Sequence, residues 1–115
     1  MKRGDIYIAE LKPRSGSEQQ GKRPVIIVSH NGFNETPTWK SIIVVPVSTS
    51  VKQSDRGPTA IFLQKNSAGL LKDSIALCHQ VTTLDRAKLS QYLGSLSLDQ
   101  ISEIEQGLKA SMSLP

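Results

Sequence analysis

Short apolar, β-branched runs punctuate the chain. Residues 4–11 (GDIYIAEL), 25–29 (VIIVS), 41–48 (SIIVVPVS), 59–63 (TAIFL) and 74–81 (SIALCHQV) alternate or run apolar, as buried and half-buried strands do. Polar connections separate them: 30–40 (HNGFNETPTWK) is dense in Asn, Gly and Pro, and 53–58 (QSDRGP) reads as a turn. Pro46 is expected to stop the third strand, since proline cannot donate to a ladder. Residues 84–89 (LDRAKL) read as a short helix and 91–96 (QYLGSL) as a last extended piece. Five or six short strands joined by polar turns predict a small, curled, mostly antiparallel barrel.

The period changes near the end of the chain. Leu98, Ile101, Ile104, Leu108 and Met112 recur at helical spacing, and Ser97 followed by Gln100 has the form of a capping box. One amphipathic helix should therefore close the fold, its apolar stripe facing the core. Gly107 weakens that helix by ~1 kcal/mol relative to Ala, which packing of the stripe can offset. The expected class is mainly β with α, in one domain spanning residues 1–115, because a chain of 115 residues buries one modest core and shows no internal repeat.

Composition narrows the setting. No apolar run approaches the ~20 residues that span a bilayer, and the start MKRGDIYIAEL lacks the apolar segment of a secretory signal, so a cytoplasmic protein without membrane contact is expected. The single Cys78 has no internal disulfide partner, and His30 and His79 have no zinc-type spacing. No metal and no cofactor is expected. Charge is uneven: residues 1–72 hold 11 Lys and Arg against five acids, net +6, while residues 73–115 hold three against five, net −2. Such a basic surface suits a polyanion, nucleic acid above all, and equally suits plain solubility.

Residues 16–24 (GSEQQGKRP) are longer and more polar than a hairpin turn requires. Arg23 stands between Gly21 and Pro24, where a rigid strand start limits its freedom, and its guanidinium fork matches two phosphate oxygens. Gly16 and Gly21 permit close approach of a ligand. Glu18 is one possible base, Gln19 and Gln20 are amides able to pair with base edges, and Lys22 is a second cation. Taken alone, the same loop is better explained by a surface ion pair between Arg23 and Glu18.

In order along the chain, KRGDIYIAEL, GSEQQGKRPVIIVS, IIVVPVSTS and DSIALCHQVTTLDRAKL together resemble the PemK/MazF family of toxin endoribonucleases, from Lys2 to the final helix. The resemblance implies an SH3-like barrel with added helices, working as a homodimer, that cuts single-stranded RNA such as mRNA without metal and is neutralised by a cognate antitoxin. It places Arg23 at the catalytic arginine and Ser48 where the family usually carries a catalytic threonine, with Thr49 the alternative one residue on. Glu18 and Gln19 match loop residues near bound RNA. His79 and Thr82 stand where an acid and a basic residue are frequent, a departure that bears on sequence preference. Gly21, Lys22, Thr49 and Trp39 complete the expected RNA contacts.

These residue types suit the chemistry. RNA carries its own nucleophile, the 2′-hydroxyl, whose attack on the adjacent phosphorus leaves a 2′,3′-cyclic phosphate and a 5′-hydroxyl. The protein has to hold the strand in line and stabilise charge on the phosphorane. Arg23 suits the charge and the Ser48 hydroxyl a non-bridging oxygen; Glu18 is either the base or the group that orients Arg23. Trp39 has two readings, an aromatic platform for an unpaired base or, more commonly for a lone tryptophan, a ring packed on its own fold. His30, His79, Asp73 and Gln80 read as surface or structural residues, and Cys78 as buried and inert. Two other classes of function compete: a non-catalytic inhibitor on the same barrel, of the gyrase-poison type, and a passive RNA-binding module.

Overall fold

The computed structural model describes residues 1–12, 21–50 and 57–115. In these segments seven strands form one antiparallel sheet: β1 (Asp5–Leu11), β2 (Gly21–Ile27), β3 (Ser41–Ser48), β4 (Ala60–Leu63), β5 (Ser74–Leu77), β6 (Thr82–Asp85) and β7 (Leu89–Ser95). Their order is β4-β5-β3-β2-β1-β7, with β6 also on β3. Two helices complete the described elements, a short α1 (Asn31–Asn34) and α2 (Leu98–Met112). The sheet does not close: β4 and β7 end its order, and among the described residues β6 is also paired on one side only. In place of strand pairing, the turn after β4 lies on β7, so close that a Cβ on Gly94 would meet the Ala68 carbonyl carbon at 2.5 Å.

Three expectations need correction, each for a physical reason. β3 does not stop at Pro46 but runs to Ser48. Its neighbour leaves the ladder at that point: β6 pairs with Ser41–Val44 and β5 with Val47–Ser48, and the 3₁₀ turn Cys78–Gln80 separates the two. The missing proline N–H therefore falls where no partner on that side needs it. The strand expected over 74–81 ends at Leu77 for the same reason. The helix expected over 84–89 is only a 3₁₀ turn, Arg86–Lys88, in which the Asp85 carboxylate accepts from Ala87 N–H at 2.8 Å. Leu84 pairs with Ile42 and Leu89 with Ala9, so sheet pairing takes both ends of that segment. Two bounds also move: β2 starts at Gly21 rather than Val25, and the connection 30–40 contains α1.

The central strands are apolar on both faces because both are covered. Ile6, Ile26, Val45 and Val47 join Leu63, Leu70, Ala76, Cys78, Leu96 and Ile104 on the face that α2 covers. Ala9, Leu11, Val25, Ile27, Ile42 and Val44 form a second cluster on the opposite face, flanked by Met1, Tyr7, Leu84 and Leu89. This explains why VIIVS and SIIVVPVS lack clean alternation. The capping box of α2 is present: Ser97 Oγ accepts from Gln100 N–H at 3.1 Å and Gln100 Oε1 from Ser97 N–H at 2.9 Å. Ile101, Ile104 and Leu108 pack inward as the period predicts, whereas Leu98 and Met112 at the helix ends are 86% and 49% exposed. Gly107 is buried where a Cβ would lie 2.6 Å from Cys78 Sγ, so the glycine permits the helix to approach the sheet. Asp5 ties β1 to β7, accepting from Lys2 N–H at 2.8 Å and from the Ser95 hydroxyl at 2.6 Å.

Candidate active site

Arg23 lies in β2 opposite Ala9 of β1, and its side chain is exposed. The strand is reached through Gly21, whose φ of +79° is a left-handed conformation that glycine adopts without strain. Pro24 follows at a point where β2 pairs with β1 alone, a position that tolerates a residue without N–H. Arg23 is thus carried by a strand.

Ser48 is the last residue of β3 and is 4% exposed. Its Oγ accepts from Ser50 N–H at 3.1 Å, which occupies an oxygen lone pair and leaves the hydroxyl proton to donate elsewhere. The ladder joining β2 to β3 runs Ile27–Val44, Ile26–Val45, Val25–Pro46 and stops. Beyond it β2 continues along β1 and β3 along β5, so the two strands part. Extending the register two positions past Val25–Pro46 sets Arg23 opposite Ser48. Strand alternation also assigns both to the face that carries Val25, Ile27 and Val44. Register and alternation thus give a permanent cation and a hydroxyl the same face, each two positions beyond the last β2–β3 pair.

The other expected contacts are distributed unevenly. Gly16, Glu18, Gln19 and Gln20 lie outside the described residues. Thr49 follows Ser48 and is exposed. Lys22 is exposed directly across from Glu10, and alternation turns it to the face opposite Arg23. Trp39 lies just before the start of β3, whose first residue Ser41 is ~23 Å from Ser48 for seven residues of rise. It is 44% exposed and its indole N–H donates to the Ser41 carbonyl at 2.8 Å. His30 is spent locally, its Nδ1 accepting from Gly32 N–H at 2.8 Å. Asp73 braces the β4–β5 connection by accepting from Lys65 N–H at 2.8 Å. Cys78 is fully buried, and burial pushes its thiol up to about 11.

Sequence reasoning missed Arg86. From the turn between β6 and β7, its guanidinium donates to the carbonyls of Phe33, Asn34, Thr36 and Trp39 at 2.9 to 3.0 Å. Its backbone N–H donates to Lys40 O at 2.7 Å. One side chain thereby sets the course of the whole 33–40 connection. Nothing local distinguishes it from the other cations, because every one of these acceptors lies 46 or more residues away.

The model of the PemK-like, MazF-like toxins of type II toxin–antitoxin systems matches residues 2–112. The chain belongs to this family. The endoribonuclease MazF of Staphylococcus epidermidis is 36% identical over 115 residues, covering 99% of this chain and 92% of that protein. Among solved structures, MazF from Deinococcus radiodurans superposes with a TM-score of 0.80 at 20% identity, covering 99% of this chain and 97% of that one. A mycobacterial endoribonuclease in complex with its cognate antitoxin superposes with a TM-score of 0.79 at 23% identity, covering 100% and 97%. The PemK/MazF resemblance read from the sequence and the mostly antiparallel fold with a C-terminal helix are both confirmed.

Proposed function

We propose that this toxin endoribonuclease cleaves single-stranded RNA by activating the RNA's own 2′-hydroxyl, with Arg23 and Ser48 as the groups that meet the scissile phosphate. The observation that supports this reading is that Arg23 and Ser48 each lie two positions beyond Val25–Pro46, the last pair of the β2–β3 ladder, on strands whose alternation gives them the same face. Arg23 pairs with the phosphate and stabilises the charge of the phosphorane; the Ser48 proton goes to a non-bridging oxygen. Exposed Thr49 is the alternative donor one residue away. Glu18 serves as the base or as the group that orients Arg23, with Gln19 and Gly21 contacting RNA around it; Lys22, on the other face of β2, would meet RNA only outside this site. Attack by the 2′-oxygen on phosphorus expels the 5′-oxygen of the next nucleotide, giving a 2′,3′-cyclic phosphate and a 5′-hydroxyl. The 2′-hydroxyl gives its proton to the base as it attacks, and the departing 5′-oxygen takes up a proton to become the hydroxyl.

A homodimer acting in the cytoplasm completes the proposal. Phe62 on edge strand β4 is 56% exposed, beside an open cleft of ≈520 Å³ formed with Gln100, Glu103 and Gln106 of α2. A second copy would cover this surface. The mycobacterial neighbour is bound to its cognate antitoxin, and an antitoxin with an acidic segment fits the net +6 of residues 1–72.

Product mapping tests the reading. Purified protein incubated with long single-stranded RNA in excess EDTA should release fragments ending in a cyclic phosphate and beginning with a 5′-hydroxyl. A 2′-deoxy nucleotide before the cut should block that site. Cutting of all-DNA substrate, or 3′-hydroxyl products, would overturn the mechanism. A gel shift without new ends would favour a binding module or a non-catalytic inhibitor.

A further inference from the structure

We propose that Phe33 and Trp39 form a second RNA contact, a stacking platform for an unpaired base well away from the scissile phosphate. The two rings stack with centroids 4.3 Å apart and planes 9° from parallel, yet they remain 40% and 44% exposed. The pair is therefore not core: none of the fully buried side chains is aromatic, and both rings sit on a surface connection. His30 tilts against Phe33 at 6.0 Å and extends the cluster.

The platform is unusually well fixed for a surface loop. Arg86 donates to four carbonyls of 33–39, and the Trp39 indole N–H is anchored on the Ser41 carbonyl. Asn34, buried beneath, donates to the Ser29 carbonyl at 2.8 Å and to Asn31 Oδ1 at 3.1 Å. With its N–H occupied and its loop held, Trp39 has a flat apolar ring to offer rather than a polar tip. Rigid aromatic faces of this kind take up bases of any sequence, because every base has a π-face. Lys40 is exposed beside Trp39 and is the cation available there, because the Arg86 N–H groups are taken up within the loop. RNA is the occupant that supplies both a ring and a negative backbone. The inference rests on RNA being the substrate of this toxin.

Placement at the far end of β3 gives the platform a distinct consequence. A base bound there lies beside the start of β3, whose first residue Ser41 is ~23 Å from Ser48, on the order of seven stacked nucleotides. An oligonucleotide with about two nucleotides on either side of a mapped cleavage site cannot span that distance, whereas one of about twenty can.

Trp39 is the one tryptophan in the chain, so its fluorescence reports on the platform directly. Titration with a long RNA made uncleavable by 2′-deoxy substitution should quench or shift the emission in step with binding, and the short oligonucleotide should not. Trp39→Ala should shrink the KM advantage of long over short substrate by about five- to a hundredfold, and Trp39→Phe should restore most of it. The proposal is overturned by unchanged emission at saturating long RNA, by a Trp39→Ala loss equal on both lengths, or by a response to an acidic antitoxin peptide but not to RNA. Failure of the wild type to cut either substrate would count against the enzymatic reading, while the emission titration would still decide the platform.

Discussion

Arg23 and Ser48 differ in how much structure depends on them. Arg23 is exposed on β2, so truncating it leaves no buried hole. Arg23→Ala should abolish cleavage while the circular dichroism spectrum and melting temperature stay at wild-type values; activity retained by a folded variant would remove the central assignment. Ser48→Ala should lower kcat by about 10²–10³, the usual effect of losing one transition-state donor, and Ser48→Thr should retain activity. If Thr49→Ala is the damaging change instead, the hydroxyl in use is the one beyond the end of β3. Arg86 illustrates a different dependence, since its side chain binds four carbonyls of a distant connection and touches no proposed reacting group.

At the scale of elements, the contact between α2 and the Cys78–Gln80 turn is the tightest constraint. Helix propensity alone favours Gly107→Ala by ~1 kcal/mol. The new methyl would lie 2.6 Å from Cys78 Sγ and 3.0 Å from Ile61 Cγ1, however, and overpacking of this kind costs ~1–3 kcal/mol. Chemical denaturation should show Gly107→Ala less stable than wild type, and adding Cys78→Ala should return part of the loss in a double-mutant cycle. The same burial creates an alkaline dependence. The Cys78 thiol is raised from 9.0 to about 11 in the folded state, so below pH 9 both states hold the proton and stability is unaffected. Between pH 9 and about 11 the unfolded thiol ionises while the folded one does not, and stability falls with rising pH. The expected loss over that window is on the order of 2–3 kcal/mol, and Cys78→Ala should remove it. An identical alkaline slope in wild type and variant would rule this out.

The whole molecule presents an open sheet and a lopsided charge. Edge strand β4, with Phe62 exposed, is the kind of surface a second copy would cover. Analytical ultracentrifugation at micromolar concentration should find a dimer; a monomer cutting at full rate would exclude the need for one. RNA affinity should fall as salt rises, because phosphate contacts release counterions. An acidic antitoxin peptide should compete with RNA for the basic surface. Simultaneous binding of both without mutual weakening would show separate surfaces.

Local pattern determined much of this protein. The runs that became β1, β3, β4 and β5, the helical stripe of α2 and its Ser97–Gln100 cap were legible because each depends on neighbours within a few residues. Arg23 and Ser48 were legible through the family strings that contain them. Four features were not, and each depends on contacts between distant segments. Pro46 stays in β3 because β5 and β6 separate beside it, and residues 84–89 fail to form a helix because Ile42 and Ala9 claim Leu84 and Leu89. Arg86 acquires its role from carbonyls of 33–39, and Gly107 is required by a cysteine on the turn after β5. Period and propensity describe what a segment prefers by itself; pairing across the sheet and backbone acceptors supplied from elsewhere in the fold decided between preferences of similar energy.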